Sequence, residues 1–215
     1  MKKLIRFLLI IILILSLLII YARYGGTRGL ITKEYQIETT IDDSFDGLKI
    51  VHFSDLHYLR ITNKETTQSI IEEINLLNPD IVVFTGDLID KDYKPNDKDI
   101  SNLKELLTSI KSKYGKYSVL GEHDIKVEDT IKDIYISSNF TLLDNSYDVI
   151  YGNNNNKLFI GGLSNNPDID KVMNYFTENE DINYKIILVH EPDYIDTITS
   201  KYNNTNLVLA GHSHN

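Results

Sequence analysis

The chain has 215 residues, 42% hydrophobic, 25% charged and 10% aromatic, with a formal net charge of -9. These values suit one globular domain with a sizeable core and exclude a disordered chain or a coiled coil. Cysteine is absent, which excludes disulfides, thiolate-held zinc or iron–sulfur sites and a thiol nucleophile. Lys2, Lys3 and Arg6 precede an apolar leader, so from residue 7 onward 19 basic residues stand against 31 acidic ones. Such a body is a poor binder of nucleic acid or anionic membrane surface and a suitable host for multivalent cations.

In chain order the leader comes first. Phe7 to Tyr21 is interrupted only by Ser16 and would span about 22 Å as a helix, against a bilayer core of about 30 Å. Extension from Leu4 to Ala22, with Arg6 reaching to the headgroups, gives about 28 Å. A cleaved signal peptide is the other reading, but the small-residue pair that cleavage needs is missing: Ala22 is paired with Ile20, and Gly25 with Arg23. A retained signal anchor over residues 1–22 is therefore expected. The basic flank sets the N-terminus in the cytoplasm, giving a single-pass protein of the cytoplasmic membrane whose body faces outward. Residues 23–33, with Gly25, Gly26 and Gly29, read as a linker, and residues 34–215 as the functional domain.

The body alternates short β-rich runs with helical stretches. Leu48 to Phe53 reads as a strand, and Asn63 to Leu77 as a helix with Ile70, Ile71, Ile74 and Leu77 on one stripe and Pro79 as the stop. Ile81 to Thr85 is a buried strand; Ile100, Leu103, Leu106, Leu107 and Ile110 mark a second, core-facing helix; Tyr117 to Leu120 is a third strand. Thr141 to Tyr151 and Lys157 to Ile160 read as strands joined by a turn at residues 152–156. A helix over Asp168 to Phe176 and strands at Lys185 to Val189 and Asn206 to Ala210 complete the pattern. Repeated β–α–β units with short connections predict an α/β sheet covered by helices.

The segments just beyond the strands carry the chemistry. Phe53 leads into Ser54-Asp55-Leu56-His57, Phe84 into Thr85-Gly86-Asp87, and Leu120 into Gly121-Glu122-His123-Asp124. Val189 leads into His190, and Ala210 into Gly211-His212-Ser213-His214. Ligands of open α/β sheets bind outside the carboxyl ends of the strands, and five such ends here carry metal-type side chains. Singly each motif is weak; together and in this order they predict a metal centre. Oxygen and nitrogen donors alone suit Mn, Fe, Zn or Mg. There are more donors than one ion needs, so two divalent ions sharing a carboxylate are expected, an arrangement that serves phosphoryl transfer.

In these five blocks, from about Leu48 to the last residue, the sequence resembles the calcineurin-like metallophosphoesterases, in particular their membrane-anchored bacterial branch. The family pattern is D-x-H, G-D, G-N-H-[DE], a lone H after a strand, and G-H-x-H. The resemblance implies a two-sheet β-sandwich flanked by helices. It implies that Asp55, His57 and His214 hold one ion, that Asp87 bridges, and that His190, His212 and residue 122 hold the second. It makes His123 the group over the phosphate, stabilising the transition state or protonating the leaving oxygen, with Asp124 orienting its ring. Glu122 stands where the family has Asn, and family members continue beyond the Gly-His-x-His loop with strands that complete the second sheet. An incomplete second sheet is accordingly expected.

The expected function is a membrane-anchored, dinuclear-metal phosphoesterase acting on a phosphodiester or phosphomonoester through hydroxide attack, without a covalent intermediate. A lipid-linked or nucleotide-sugar phosphate is the expected kind of substrate, and nucleic-acid scaffolding is not expected. The rival is a degenerate, membrane-tethered metal-binding fragment without catalysis. His52 lies within a strand and reads as a packed or hydrogen-bonded histidine. The 14 tyrosines show no stacking platform, and residues 90–99 read as a solvated loop.

Overall fold

The computed structural model describes residues 2–24, 30–177, 182–202 and 204–214. The chain falls into two compact units, Met1–Thr39 and Thr40–Asn215.

The first unit contains helix α1, Lys2–Tyr24. The transmembrane helix expected over residues 1–22 is not supported: among the described residues no helix is long and apolar enough to cross a membrane. Among the described side chains of α1, the exposed apolar ones run from Ile5 to Leu18. The expected linker falls partly on residues 25–29, outside the described residues.

Among the described residues, the second unit holds two four-stranded sheets. The first has the order β1 (Ile50–Phe53), β2 (Ile81–Phe84), β3 (Gly115–Ser118), β4 (Phe140–Leu142), all parallel. The second has the order β5 (Ser146–Tyr151), β6 (Lys157–Gly162), β7 (Ile182–Val189), β8 (Leu207–Ala210). Its first pair is antiparallel and the other two are parallel. Both β1 and β8 are edge strands among the described residues.

Three apolar layers hold this arrangement together. The inner face of the first sheet (Ile81, Val83, Tyr117, Val119) packs on that of the second (Ile150, Leu158, Ile160, Ile186, Leu188). The outer face of the first sheet packs on α2 (Lys64–Leu76), α3 (Asp97–Thr108) and α4 (Glu128–Ser137). The outer face of the second packs on α5 (Ile169–Thr177) and α6 (Ile195–Lys201). The two-sheet sandwich flanked by helices is thus observed. Strand β2 lies between parallel neighbours, and its run Ile-Val-Val-Phe is buried at every position, as a strand covered on both faces requires.

The helices begin where their caps allow. The Asn63 side chain accepts the Thr66 N–H ahead of α2, and Asn96 with Asp99 forms a reciprocal capping box ahead of α3. Helices α4 and α6 lie outside the elements expected from sequence, although Ile131, Ile134 and Tyr135 of α4 show the helical spacing of a buried stripe. The expected continuous strand from Thr141 to Tyr151 is instead two strands in different sheets. The chain crosses between the sheets at residues 143–145, where Leu143 is buried in the inter-sheet layer and Asn145 takes φ of 45°. Asparagine tolerates that left-handed conformation, and its side chain accepts the Ser164 and Asp168 N–H groups at 3.2 and 2.9 Å. This crossing sets the ends of β7 and β8 beside those of β1, β2 and β3.

Candidate metal centre

Each loop after a strand is held by its neighbour. Beyond β1, the N–H groups of Asp55, His57 and Tyr58 donate to the carbonyls of Gly86, Asp87 and Leu88 at 3.0, 3.0 and 2.9 Å. Gly86, at φ of 92°, lies so close to Gly121 that a Cβ on it would sit 2.4 Å from the Gly121 nitrogen. A Cβ on Gly121 would sit 2.1 Å from Asp87 Oδ1. The glycines of the two motifs therefore serve the close approach of the Asp87 and Glu122 loops.

Five of the expected ligands share an unusual backbone. Asp55, His57, Asp87, His212 and His214 all have positive φ, between 39° and 66°. Side chains rarely adopt this region, and its concentration here is the mark of a site whose surroundings over-determine it. The strain turns consecutive side chains inward from loops that would otherwise carry them apart.

The side chains converge into three groups whose ligand atoms lie within 4.8 Å of one another: Asp55, His57 and His214; His57, Asp87 and His123; and Asp87, His190 and His212. Asp87 is 2% exposed and divides its two oxygens. Oδ1 accepts the His123 backbone N–H at 2.9 Å, while Oδ2 lies 3.3 Å from His190 Nε2 and 3.6 Å from His57 Nε2. Burial works against its charge, but His190 and the His123 N–H outweigh this and hold the carboxyl below its ordinary range. His190 Nδ1 lies 2.7 Å from the Thr85 carbonyl, which can only accept, so the proton sits on Nδ1 and Nε2 faces Asp87. Burial opposes a charged His190 as well, yet the Asp87 carboxylate holds it up at about 9. At the other end, His214 Nε2 lies 3.5 Å from Asp55 Oδ1, and the His212 N–H donates to Asp55 Oδ2 at 3.1 Å.

The donors fit divalent cations. Asp55 Oδ1, both ring nitrogens of His57 and His190 Nε2 are buried without a hydrogen-bond partner. Buried polar atoms are normally satisfied, so a cluster of orphaned nitrogen and oxygen atoms facing one another is the expected state of a ligand set.

One expectation needs correction. Asp124 does not orient His123. Its carboxylate is fully buried and accepts four backbone N–H groups, from Gly121 (2.9 Å), Asp87 (3.0 Å), Leu88 (2.9 Å) and Ile89 (3.4 Å). Four oriented donors at short range outcompete a neighbouring ring for two carboxylate oxygens. Burial, with the charge of Asp87 adding, pushes this carboxyl up to about 7 against the pull of those donors. Asp124 is the clamp that ties the Asp87 loop to the Gly121 loop.

For Glu122 the sequence offers two readings, a ligand of the second ion or a side chain turned away from it. Glu122 belongs to none of the three groups, and its Oε1 lies 3.3 Å from His123 Nε2 instead.

The residue missed in sequence is Asp90, which falls in the stretch expected to be a solvated loop. It is 2% exposed, and its Oδ2 lies 3.2 Å from His123 Nδ1, 3.4 Å from His57 Nδ1 and 2.6 Å from an Arg60 guanidinium nitrogen. Burial disfavours its charge, but the Asp92 N–H and Arg60 outweigh this and hold Asp90 down at about 2. The available signal is its place three residues after Asp87. His52 keeps its structural role, with Nε2 2.8 Å from Thr85 Oγ1.

A parallel-strand edge bearing aspartates and histidines in this order defines a metal-dependent phosphoric ester hydrolase. The sequence matches the calcineurin-like phosphoesterase family over residues 48–215, and the chain belongs to that family. Among curated relatives it is 34% identical to the uncharacterized metallophosphoesterase YkuE of Bacillus subtilis, across 90% of this chain and 68% of that protein. It is 26% identical to a transmembrane protein with metallophosphoesterase domain from Danio rerio, across 81% of this chain and 42% of that protein. A shorter stretch of 78 residues is 36% identical to the UDP-2,3-diacylglucosamine pyrophosphatase LpxG of Chlamydia muridarum, covering 36% of this chain and 23% of that protein. The chain thus spans about two thirds of the first relative and less than half of the other two.

Proposed function

We propose that the chain hydrolyses a phosphodiester or phosphomonoester with two divalent ions, one held by Asp55, His57 and His214 and the other by His190 and His212, with Asp87 shared. The observation that carries this reading is Asp87 Oδ2, one buried oxygen facing the imidazole nitrogens of both groups. Two divalent ions supply a nucleophile at neutral pH and a clamp for the phosphoryl oxygens. The protein's own part is to hold and move a proton. His123 Nε2 faces the open side with Glu122, and Nδ1 sits between the Lys91 N–H at 3.3 Å and Asp90 at 3.2 Å. When Nε2 gives its proton to the leaving oxygen, the ring keeps the proton on Nδ1 and goes on donating to Asp90. Asp90 therefore holds His123 in one orientation before and after the transfer, as a group that protonates a leaving oxygen requires.

Attachment to a membrane surface through residues 1–22 belongs to the same proposal. It is supported by the exposed apolar side chains of α1 and the basic residues that precede them. The LpxG likeness supports a lipid-linked nucleotide-sugar diphosphate as the substrate class.

The test is hydrolysis of bis(p-nitrophenyl) phosphate and p-nitrophenyl phosphate by the full chain in detergent micelles, with and without Mn²⁺. Turnover should require the metal and fall about 10²–10⁴-fold in His123→Ala. Turnover that is independent of metal, or unchanged in His123→Ala, would overturn the reading.

A further inference from the structure

We propose that Asn165 supplies the amide oxygen that completes the ligand set of the second ion, in place of residue 122. This rests on the dinuclear reading above.

The group formed by Asp87, His190 and His212 offers three donors. The position that the family pattern fills with an amide carries Glu122 here, and Glu122 is directed to His123. One amide beside the Gly121 loop has an oxygen to spare. Asn165, in the loop after β6, donates from Nδ2 to the Gly121 carbonyl at 2.9 Å, on the residue just before Glu122. Its Oδ1 is buried and has no hydrogen-bond partner. A buried amide oxygen left without a donor is costly, and its use as a neutral, hard ligand removes that cost. Gly121 itself lies against Asp87, so the orphaned oxygen belongs to a residue bonded to the loop that packs on the shared carboxylate.

The loop carrying Asn165 is pinned on both sides of it. Asn145 Nδ2 donates to Ser164 Oγ at 2.7 Å and to the Asn166 carbonyl at 2.9 Å, and Asn145 Oδ1 accepts the Ser164 and Asp168 N–H groups. Four hydrogen bonds from one side chain hold the flanking residues, while the Asn165 oxygen is left free. A ligand held this way is preorganised, which is how surrounding hydrogen bonds raise metal affinity.

The chemistry also favours an amide over a carboxylate here. The site already carries Asp55 and Asp87, and a third carboxylate on the second ion would repel an anionic phosphate. Asn165 completes the ion without added charge, and Glu122 is released to face His123.

Mn²⁺ binding to the full chain by titration calorimetry, with apo melting curves as the folding control, tests this. Wild type should bind two ions. Asn165→Ala should weaken one site about 10-fold or more, whereas Asn165→Asp should keep both, because it retains an oxygen while losing the Nδ2 donor. Glu122→Ala should also keep both. If Asn165→Asp fails like Asn165→Ala, the residue acts only as the anchor of Gly121 and the proposal is overturned. Loss of an ion in Glu122→Ala, or full binding in Asn165→Ala, overturns it too. Should Asn165→Ala not fold, Asn165→Asp and Glu122→Ala decide. Fewer than two ions in wild type removes the dinuclear reading itself, and Asn165's role with it.

Discussion

Asp90 Oδ2 lies 3.2 Å from His123 Nδ1, joining a buried carboxylate to the imidazole that faces the open side of the metal centre. The same oxygen touches His57 Nδ1 and Arg60, so one side chain positions both the candidate acid and a candidate ligand. Asp90→Ala is expected to lower kcat by about 10–100-fold with a smaller change in KM, and to weaken metal binding through His57. Steady-state kinetics with Mn²⁺ at saturation separates the two effects. An unchanged kcat at saturating metal would remove Asp90 from the positioning role.

Asp124 predicts a different signature. Its loss leaves four buried N–H groups without an acceptor, so Asp124→Ala should destabilise the fold by about 3 kcal/mol or more. Asp124→Asn keeps one accepting oxygen and should cost less. Urea denaturation of the metal-free proteins checks this order. A variant that melts normally and loses only turnover would restore the ring-orienting role that the geometry removes.

Gly121 is the tightest contact between the two loops. Because a Cβ there would lie 2.1 Å from Asp87 Oδ1 and 2.4 Å from the Asp87 nitrogen, Gly121→Ala must displace the shared carboxylate. The expected result is a destabilisation of about 1–3 kcal/mol and a loss of metal affinity of about 10-fold or more. Calorimetric titration with Mn²⁺ reads the second effect directly.

Lys116 gives a pH-dependent prediction away from the metal. Its ammonium is buried under Phe140, donates to the Leu107 carbonyl at 2.9 Å, and is pushed by burial down to about 8. Between that value and the ordinary 10.5 of the unfolded chain, the unfolded state binds a proton that the folded state lacks. This group therefore makes the fold more stable as pH rises from about 8 toward 10. Lys116→Met should flatten the rise, measured by urea denaturation at steps across that window.

The metal-type residues are legible in sequence because strand ends can be read from apolar runs, and parallel strands bring their ends to one edge. Asp55, His57, Asp87, His190, His212 and His214 converge for that reason. The sequence does not say which way a side chain turns within a loop. Asp90 meets Arg60 and His123 across some 30 residues in each direction, and Asp124 spends its carboxylate on backbone donors that carry no residue-type signal. Motif position leaves two directions open for Glu122, and in the structure its Oε1 lies beside His123 Nε2. The continuous β-pattern from Thr141 to Tyr151 hides a change of sheet, because both halves alternate equally well and only Asn145 marks the break.

The shared carboxylate is the centre of the dinuclear site, and metal content with Mn²⁺ EPR on wild type and Asp87→Asn tests it most directly. Two ions per wild-type chain with an exchange-coupled signal are expected, with loss of the coupling and of at least one ion in the variant. A single ion in wild type, or two uncoupled ions that persist in Asp87→Asn, would contradict a shared Asp87.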